Sequence, residues 1–309
     1  MGKTITVLEI IIPIFATIAL GILAKKKKIL TTEQNDGLQK FVMNFGLPCV
    51  LFNSCLTSNL GMEAVTTMMI LLPLVILSSL WAFRARKKHF QYHNLPMLFS
   101  AQESGMLGIP LFMTLFGTQQ AYRMGVLDMS QSLVAIPVIA ILMADTGSNP
   151  SIKEIVKKVF KSPLLIMCIL GLFLNLSGAR DSLNQIGVGG ILLETTTFLS
   201  QPVSAVILFS VGFNFSINKG NINQVLKISG IHFSVFVIFG LIMQGLLFLL
   251  PSVDTQTRWA VLLYSCLPPS FLSPGLGKGK EDYAVASGVC SLLTIVCLIV
   301  FCIMAAVLA

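Results

Sequence analysis

The chain reads as an all-α polytopic membrane protein of ten transmembrane helices, arranged as two inverted five-helix repeats with broken crossover helices 4 and 9. Three observations predict this. The 309 residues are 55% hydrophobic and 11% charged, with a mean hydropathy of +0.85, which leaves too little polar surface for a soluble domain of this length. A window of roughly 20 apolar residues, the length that crosses a hydrocarbon core of about 30 Å, picks out ten segments. A basic loop then divides the ten into five and five, and an odd-numbered repeat must enter the membrane from the opposite side the second time.

Span 1 (5–24) is followed by Lys25 to Lys28. A signal peptide carries its basic cluster before the apolar run, so this segment is expected to stay in the mature protein. Span 2 (38–56) contains FGLPCVLF and the amides of Asn44 and Asn53, which suit substrate contact or interhelical hydrogen bonds. Span 3 (63–83) runs into RARKKHFQYH, where His89 and His93 have an i, i+4 spacing but lie in a basic loop without a further ligand. Span 4 (94–117) holds QESGMLGIPLF, with a carboxylate, two glycines and a proline at bilayer depth. Span 5 (123–144) places Asp128, Gln131 and Ser132 on one helix face.

The loop from Asp145 to Lys161 joins a Gly-Ser-Asn-Pro turn to KEIVKKVFK, whose spacing predicts a short amphipathic helix on the inner surface. The chain thus divides into a first five-helix repeat over 1–144, a cytoplasmic basic linker over 145–161 and a second, inverted repeat over 162–309. Spans 6 (162–178), 7 (188–216), 8 (225–250), 9 (258–277) and 10 (283–309) make up the second half. His232 in span 8 reads as a packed histidine or a proton relay, and span 9 is interrupted by YSCLPPSFLSPGLGKGK.

Orientation follows from basic residues, which are retained on the cytoplasmic side in short loops. With Lys25 to Lys28 inside, only Lys3, Arg123, Arg180 and Arg258 of the 21 basic residues fall outside, so both termini are expected outside the plasma membrane. The net charge of +8 is this retention signal and points to no nucleic-acid partner, though a polybasic contact with membrane lipid fits the lysine run. The seven cysteines lie in or at the ends of spans without CxxC spacing and read as small packing residues. No HExxH, GxSxG or phosphate-loop string occurs, and the chain is expected not to be an enzyme and to hold no metal or other cofactor.

Spans 4 and 9 occupy equivalent positions in the two halves, and both are broken. Pro268, Pro269 and Pro274 lack amide donors, while Gly105, Gly108, Gly275 and Gly277 loosen the backbone. Exposed amides and carbonyls cost several kcal/mol each in lipid, so such breaks must face protein or cavity water. Paired interruptions mark the binding site of a secondary transporter, where half-helix N-termini present positive dipole ends to an anion.

With the ten spans, the matched breaks, the string Gly105-Met106-Leu107-Gly108-Ile109-Pro110-Leu111, FGLPCVLF in span 2 and FLSQPVSAVILFSVGF in span 7, the chain resembles the auxin efflux carrier family of transporters, bacterial malate and malonate permeases included. The resemblance implies a scaffold of spans 1, 2, 6 and 7, a mobile core of spans 3 to 5 and 8 to 10, and a crossing of spans 4 and 9 at the midplane. It also implies organic-anion substrates such as auxin, malate or malonate, elevator-like movement and homodimers. Where the family pattern Asn-x-Gly-x-x-Gly-x-Pro begins with asparagine, this chain has Glu103.

Counted along one continuous helix, Glu103 lies ~14 Å from the inner edge, near the bilayer middle. It reads as a titrating carboxylate that couples a proton to transport, as a ligand for a cation such as sodium, or as a group bonded to the broken backbone that holds the crossover together. Asp128 and Gln131 are further proton-coupling candidates. The expected substrate-binding set is Asn53, Glu103, Ser104, Gly105, Gly108, Pro110, Pro269, Ser270, Ser273, Pro274 and Gly275, with serine hydroxyls and amides near the glycines meeting the anion. The leading expectation is a secondary carrier of a small organic anion. The alternative is a transporter-fold receptor that binds ligand without moving it.

Overall fold

The computed structural model describes residues 2–57, 62–144, 161, 163–185, 187–215, 221–250 and 253–308, and every regular element among them is helical. Helix α1 (Gly2–Lys26) is followed by α2 (Thr32–Phe41), a π turn (Val42–Gly46) and α3 (Leu47–Thr57), which together cover span 2. This helical stretch starts earlier than its apolar run, because Thr31 and Gln34 form a capping box that satisfies the first amides of a polar turn. Span 3 corresponds to α4 (Met62–Ala85). Span 4 contains the single turn α5 (Leu95–Leu98) and then α6 (Ile109–Phe116), and span 5 corresponds to α7 (Tyr122–Ala144). The second half runs through α8 (Pro163–Leu176), α9 (Ala179–Gln185), α10 (Val188–Ser200), α11 (Val203–Asn214), α12 (Ile222–Phe248), α13 (Thr255–Ser265) and α14 (Lys280–Leu308). The amphipathic stretch expected in the 145–161 linker lies outside the described residues, Lys161 excepted.

Among the described residues, the helical stretches Ala64–Phe90, Val188–Asn214, Ile222–Phe248 and Lys280–Leu308 are long and apolar enough to cross a membrane. Ser104–Phe116 and Pro163–Leu176 are shorter apolar helices. Helix α1 packs on α11, α3 on α8 and α10, α4 on α7, and α12 on α13 and α14. Small residues set the closest of these approaches. A Cβ on Gly21 would lie 2.0 Å from the Phe209 carbonyl oxygen, one on Gly212 would lie 2.0 Å from that of Ile18, and one on Gly171 would lie 2.6 Å from that of Phe52. Backbone contacts of this kind are how helices associate where lipid removes the hydrophobic drive between them. One apolar core gathers Leu51, Phe112, Met124 and Leu263; a second packs Ala82, Phe99, Phe236 and Val289 between α4, α12 and α14.

The two interrupted spans differ in detail from the sequence reading. In span 4, non-helical backbone follows α5 through Glu103, and a π turn (Ser104–Gly108) then leads into α6. The break therefore precedes Gly105, Gly108 and Pro110, which sit inside the second half-helix. Pro110 is tolerated there because it falls in the first turn of α6. A helical rise cannot be counted from Asn94 to Glu103, so the ~14 Å depth does not apply. Span 9 consists of α13, irregular backbone over 266–272 and one 3₁₀ turn (Ser273–Leu276), and the helix of span 10 begins at Lys280, ahead of the expected 283.

Candidate functional site

The irregular segments of spans 4 and 9 meet in an isolated antiparallel bridge between Gln102 and Pro269. The Glu103 amide donates to the Pro268 carbonyl at 2.8 Å, and the Ser270 amide donates to the Ala101 carbonyl at 2.9 Å. Pro268 and Pro269 have no amides of their own, so their segment offers carbonyls and needs donors from elsewhere. The Gln102 side chain supplies two more when its amide nitrogen faces span 9, 3.0 Å from the carbonyl oxygens of Leu267 and Pro268.

Glu103 stands at the N-cap of the Ser104–Phe116 half-helix and is 7% exposed. Its Oε1 accepts the Met106 amide at 3.2 Å, an N-cap bond. Its Oε2 accepts the Phe271 amide, from the other crossing span, at 2.5 Å. One side chain thus takes a donor from each broken span. Amides facing a carboxylate at a helix N-terminus stabilise its charged form through hydrogen bonding and through the local dipole.

Beside it lies a polar knot built from α7. The Ser104 hydroxyl donates to Asp128 Oδ1 at 2.5 Å. Gln131 Nε2 donates to the Gln102 carbonyl and to Ser104 Oγ, both at 2.7 Å, and approaches Asp128 Oδ1 at 3.1 Å. Its Oε1 accepts the Gln102 amide and the Tyr264 hydroxyl, each at 2.7 Å. The Gln131 amide therefore pairs with the main chain of Gln102 in both directions, as a neighbouring strand would. Helical spacing puts Asp128 and Gln131 on one face of α7, where both reach the same segment.

Of the expected site residues, the structure brings Glu103, Ser104, Gly105, Pro269 and Ser270 together at the crossing, with Asp128 and Gln131 alongside. A Cβ on Gly105 would lie 4.0 Å from Asp128 Oδ1. Gly108 serves packing, since a Cβ there would meet the Leu267 and Met124 side chains at 2.9 Å. Ser270 Oγ accepts the Leu272 amide at 3.4 Å. Ser273, Pro274 and Gly275 form the 3₁₀ turn. The Ser273 carbonyl accepts the Asn94 side-chain amide at 3.0 Å, and its buried hydroxyl has no hydrogen-bond partner among the described residues.

Asn53 is not brought to the crossing. It bridges α3 to α10, accepting the Thr196 hydroxyl at 2.5 Å and donating to Thr197 at 3.3 Å. His232 packs between the rings of Phe99 and Phe236. Four residues that spacing does not single out, Gln102, Tyr264, Asn94 and Asp282, also tie spans 4 and 9 to their surroundings. Gln102 had a legible signal, as a second polar residue beside Glu103 in an apolar run; Tyr264, just before the prolines, had none. Asp282 Oδ2 accepts the amides of His93 at 3.3 Å and Lys278 at 2.9 Å, joining the ends of spans 4 and 9 beside a cavity of about 450 Å³. Elsewhere on α7, Arg123 bonds to Asp254 and Thr257 at the start of α13.

Among the described residues, no three His, Cys, Asp or Glu side chains converge as a metal site. A family profile described as membrane transport protein matches residues 6–308. An uncharacterized transporter of Methanothermobacter thermautotrophicus is 24% identical over 242 residues, covering 75% of this chain and 74% of its own. The uncharacterized transporter YfdV of Escherichia coli K12 is 19% identical over 275 residues, or 84% of each chain.

Proposed function

Because the chain belongs to the membrane transport protein family, the auxin efflux carrier-type family its motifs resemble, we propose that it is a secondary carrier of a small organic anion across the plasma membrane. The observation that carries this reading is the crossing itself, where two interrupted spans aim backbone donors from both sides at one buried point. Irregular backbone within a span is tolerated only where protein or a solvated path covers it, and transporters place their sites there.

The proposed carrier has ten spans in an inverted repeat, and helix packing supports this. Contact of α1 with α11 pairs span 1 with span 7, and contact of α8 with α3 pairs span 6 with span 2, which is the same contact exchanged between halves. Likewise α4 on α7 pairs spans 3 and 5, and α12 on α14 pairs spans 8 and 10. Both kinds of scaffold contact use glycine for close approach, Gly21 with Gly212 in one and Gly171 in the other. Both termini lie outside in this reading, and the exposed apolar face of α10, with Ile191 and Phe198, meets lipid or a second copy in a homodimer.

Substrate binds at the crossing, against Ser104, Ser270 and the amides near Gly105, with Ser273, Pro274 and Gly275 on its inner side. Glu103 and Asp128 place two carboxylates there, so an anion needs a compensating cation, a proton or sodium. Flux of labelled dicarboxylates and indole acids into proteoliposomes, with and without a pH or sodium gradient, tests the reading. Saturable binding without flux would replace the carrier by a receptor.

A further inference from the structure

The two donors that a substrate anion would be expected to use are already occupied, and the occupant belongs to the protein. Glu103 Oε1 holds the Met106 amide and Oε2 holds the Phe271 amide, so its carboxylate lies where the two broken spans present donors. Where the resembled family has a neutral asparagine, this chain carries a tethered carboxyl group. We propose that Glu103 is the resident ligand of its own anion cradle, and that a substrate carboxylate loads by displacing it, with one proton taken up onto Glu103. Displacement rests on the carrier reading above and specifies its coupling.

Competition decides the exchange. A tethered carboxylate competes at an effective concentration on the order of millimolar or more, with no translational freedom left to lose, so a free carboxylate at micromolar concentration cannot displace it unaided. Placing a second anion beside Glu103 would also add charge where Asp128 already lies close by. Protonation resolves both problems. It removes the charge that the two amides favour, weakens Glu103 as an acceptor relative to an ionised competitor, and turns one of its oxygens into a donor toward the incoming carboxylate.

The surroundings fit this exchange. Among the described residues, the charged or titratable groups that bear on Glu103 are Asp128 from α7 and Cys290 from α14, and neither carries a positive charge that would neutralise an added anion. Asp128 Oδ1 already takes the Ser104 hydroxyl and the Gln131 amide, and Gln131 is held in turn by Tyr264. Asp128 therefore has its own donors within the knot, whereas Glu103 shares its donors with the cradle. On the span 9 side, the buried Ser273 hydroxyl, unpartnered among the described residues, is a donor the protein leaves unused.

Calorimetric titration of the purified full-length protein with malonate and with benzoate, at one pH in two buffers of different ionisation enthalpy, measures protons taken up per anion bound. The wild type is expected to take up about one proton, with affinity falling about tenfold per pH unit once free Glu103 is ionised. Glu103→Gln, which removes the charge and keeps the shape, is expected to bind the same probes without proton uptake and with affinity flat between about pH 6 and about pH 8. Proton-free binding by the wild type, or uptake that persists in Glu103→Gln, overturns the inference. Should Glu103→Gln fail to fold, the two-buffer measurement on the wild type decides alone. Flux of either probe with proton-free binding sinks the displacement and leaves the carrier standing; absence of both binding and flux sinks both.

Discussion

Replacing Gln131 with leucine removes the side chain on which the crossing depends from the α7 side, and its effect follows from counting what is stranded. The Gln102 carbonyl keeps the Ser104 amide at 2.9 Å, and the Ser104 hydroxyl keeps Asp128. The Gln102 amide and the Tyr264 hydroxyl lose their acceptor, and both residues are buried, at 2% exposure each. Stranding a buried donor costs about 1–3 kcal/mol, so the pair costs roughly 2–6 kcal/mol, offset in part by the apolar surface of leucine. At about 2 °C per kcal/mol for a chain of this size, thermal unfolding in detergent should fall by roughly 4–12 °C. Tyr264→Phe strands nothing, because Gln131 Oε1 keeps the Gln102 amide, and should cost only about 0.5–1.5 kcal/mol. The sign of the double substitution is the decisive result. Adding Tyr264→Phe to Gln131→Leu removes a stranded hydroxyl and should raise the midpoint above that of Gln131→Leu alone; a further fall would refute the reasoning.

Three further outcomes are expected. Gly212→Ala puts a methyl 2.0 Å from a backbone oxygen on α1 and should cost about 1–3 kcal/mol in thermal unfolding, while Gly190→Ala, which meets nothing within 4 Å, should be neutral or stabilising; equal effects would sink the close-packing argument. At Asp254, partial burial pushes the carboxyl up, but hydrogen bonds from Arg123 and the Thr257 amide, with the Arg123 charge, hold it net below the usual 3.8. A depressed carboxyl stabilises the fold above its unfolded value, so Asp254→Asn should lower the unfolding midpoint at neutral pH and the difference should close as pH falls below 3.8; a pH-independent difference would contradict the ion pair. Cys55 on α3 and Cys168 on α8 have sulfurs 3.1 Å apart, so treatment with the thiol oxidant diamide should join them, as peptide mapping without reductant would detect; alkylation of both thiols after oxidation would argue that the two helices do not meet there.

Gly108 illustrates how a correct motif can carry the wrong reason. A glycine in an apolar run reads as a helix breaker, yet here it lies within the half-helix and makes room for Leu267 and Met124. The actual break, over Phe99 to Glu103, contains no glycine or proline at all. It is held open by partners on other spans: Pro268 for the Glu103 amide, Gln131 for Gln102. Propensity within a window has no access to those. Asn53 lies away from the crossing for a similar reason, since a lone amide in a span is equally suited to substrate or helix, and only the position of Thr196 and Thr197 decides where it bonds.

The sequence by itself determined that this chain lives in a membrane, where its basic residues gather between apolar segments, and that the segments over 94–117 and 258–277 are interrupted. These properties depend on desolvation and charge retention, which act on each segment wherever the others lie. Tertiary structure alone decided what holds the Glu103 carboxyl group. The carboxylate and the Phe271 amide that binds it are 168 residues apart in the chain, and no local pattern encodes their meeting. A buried charge is only as costly as its surroundings leave it, and those surroundings arise from the pairing of two distant spans.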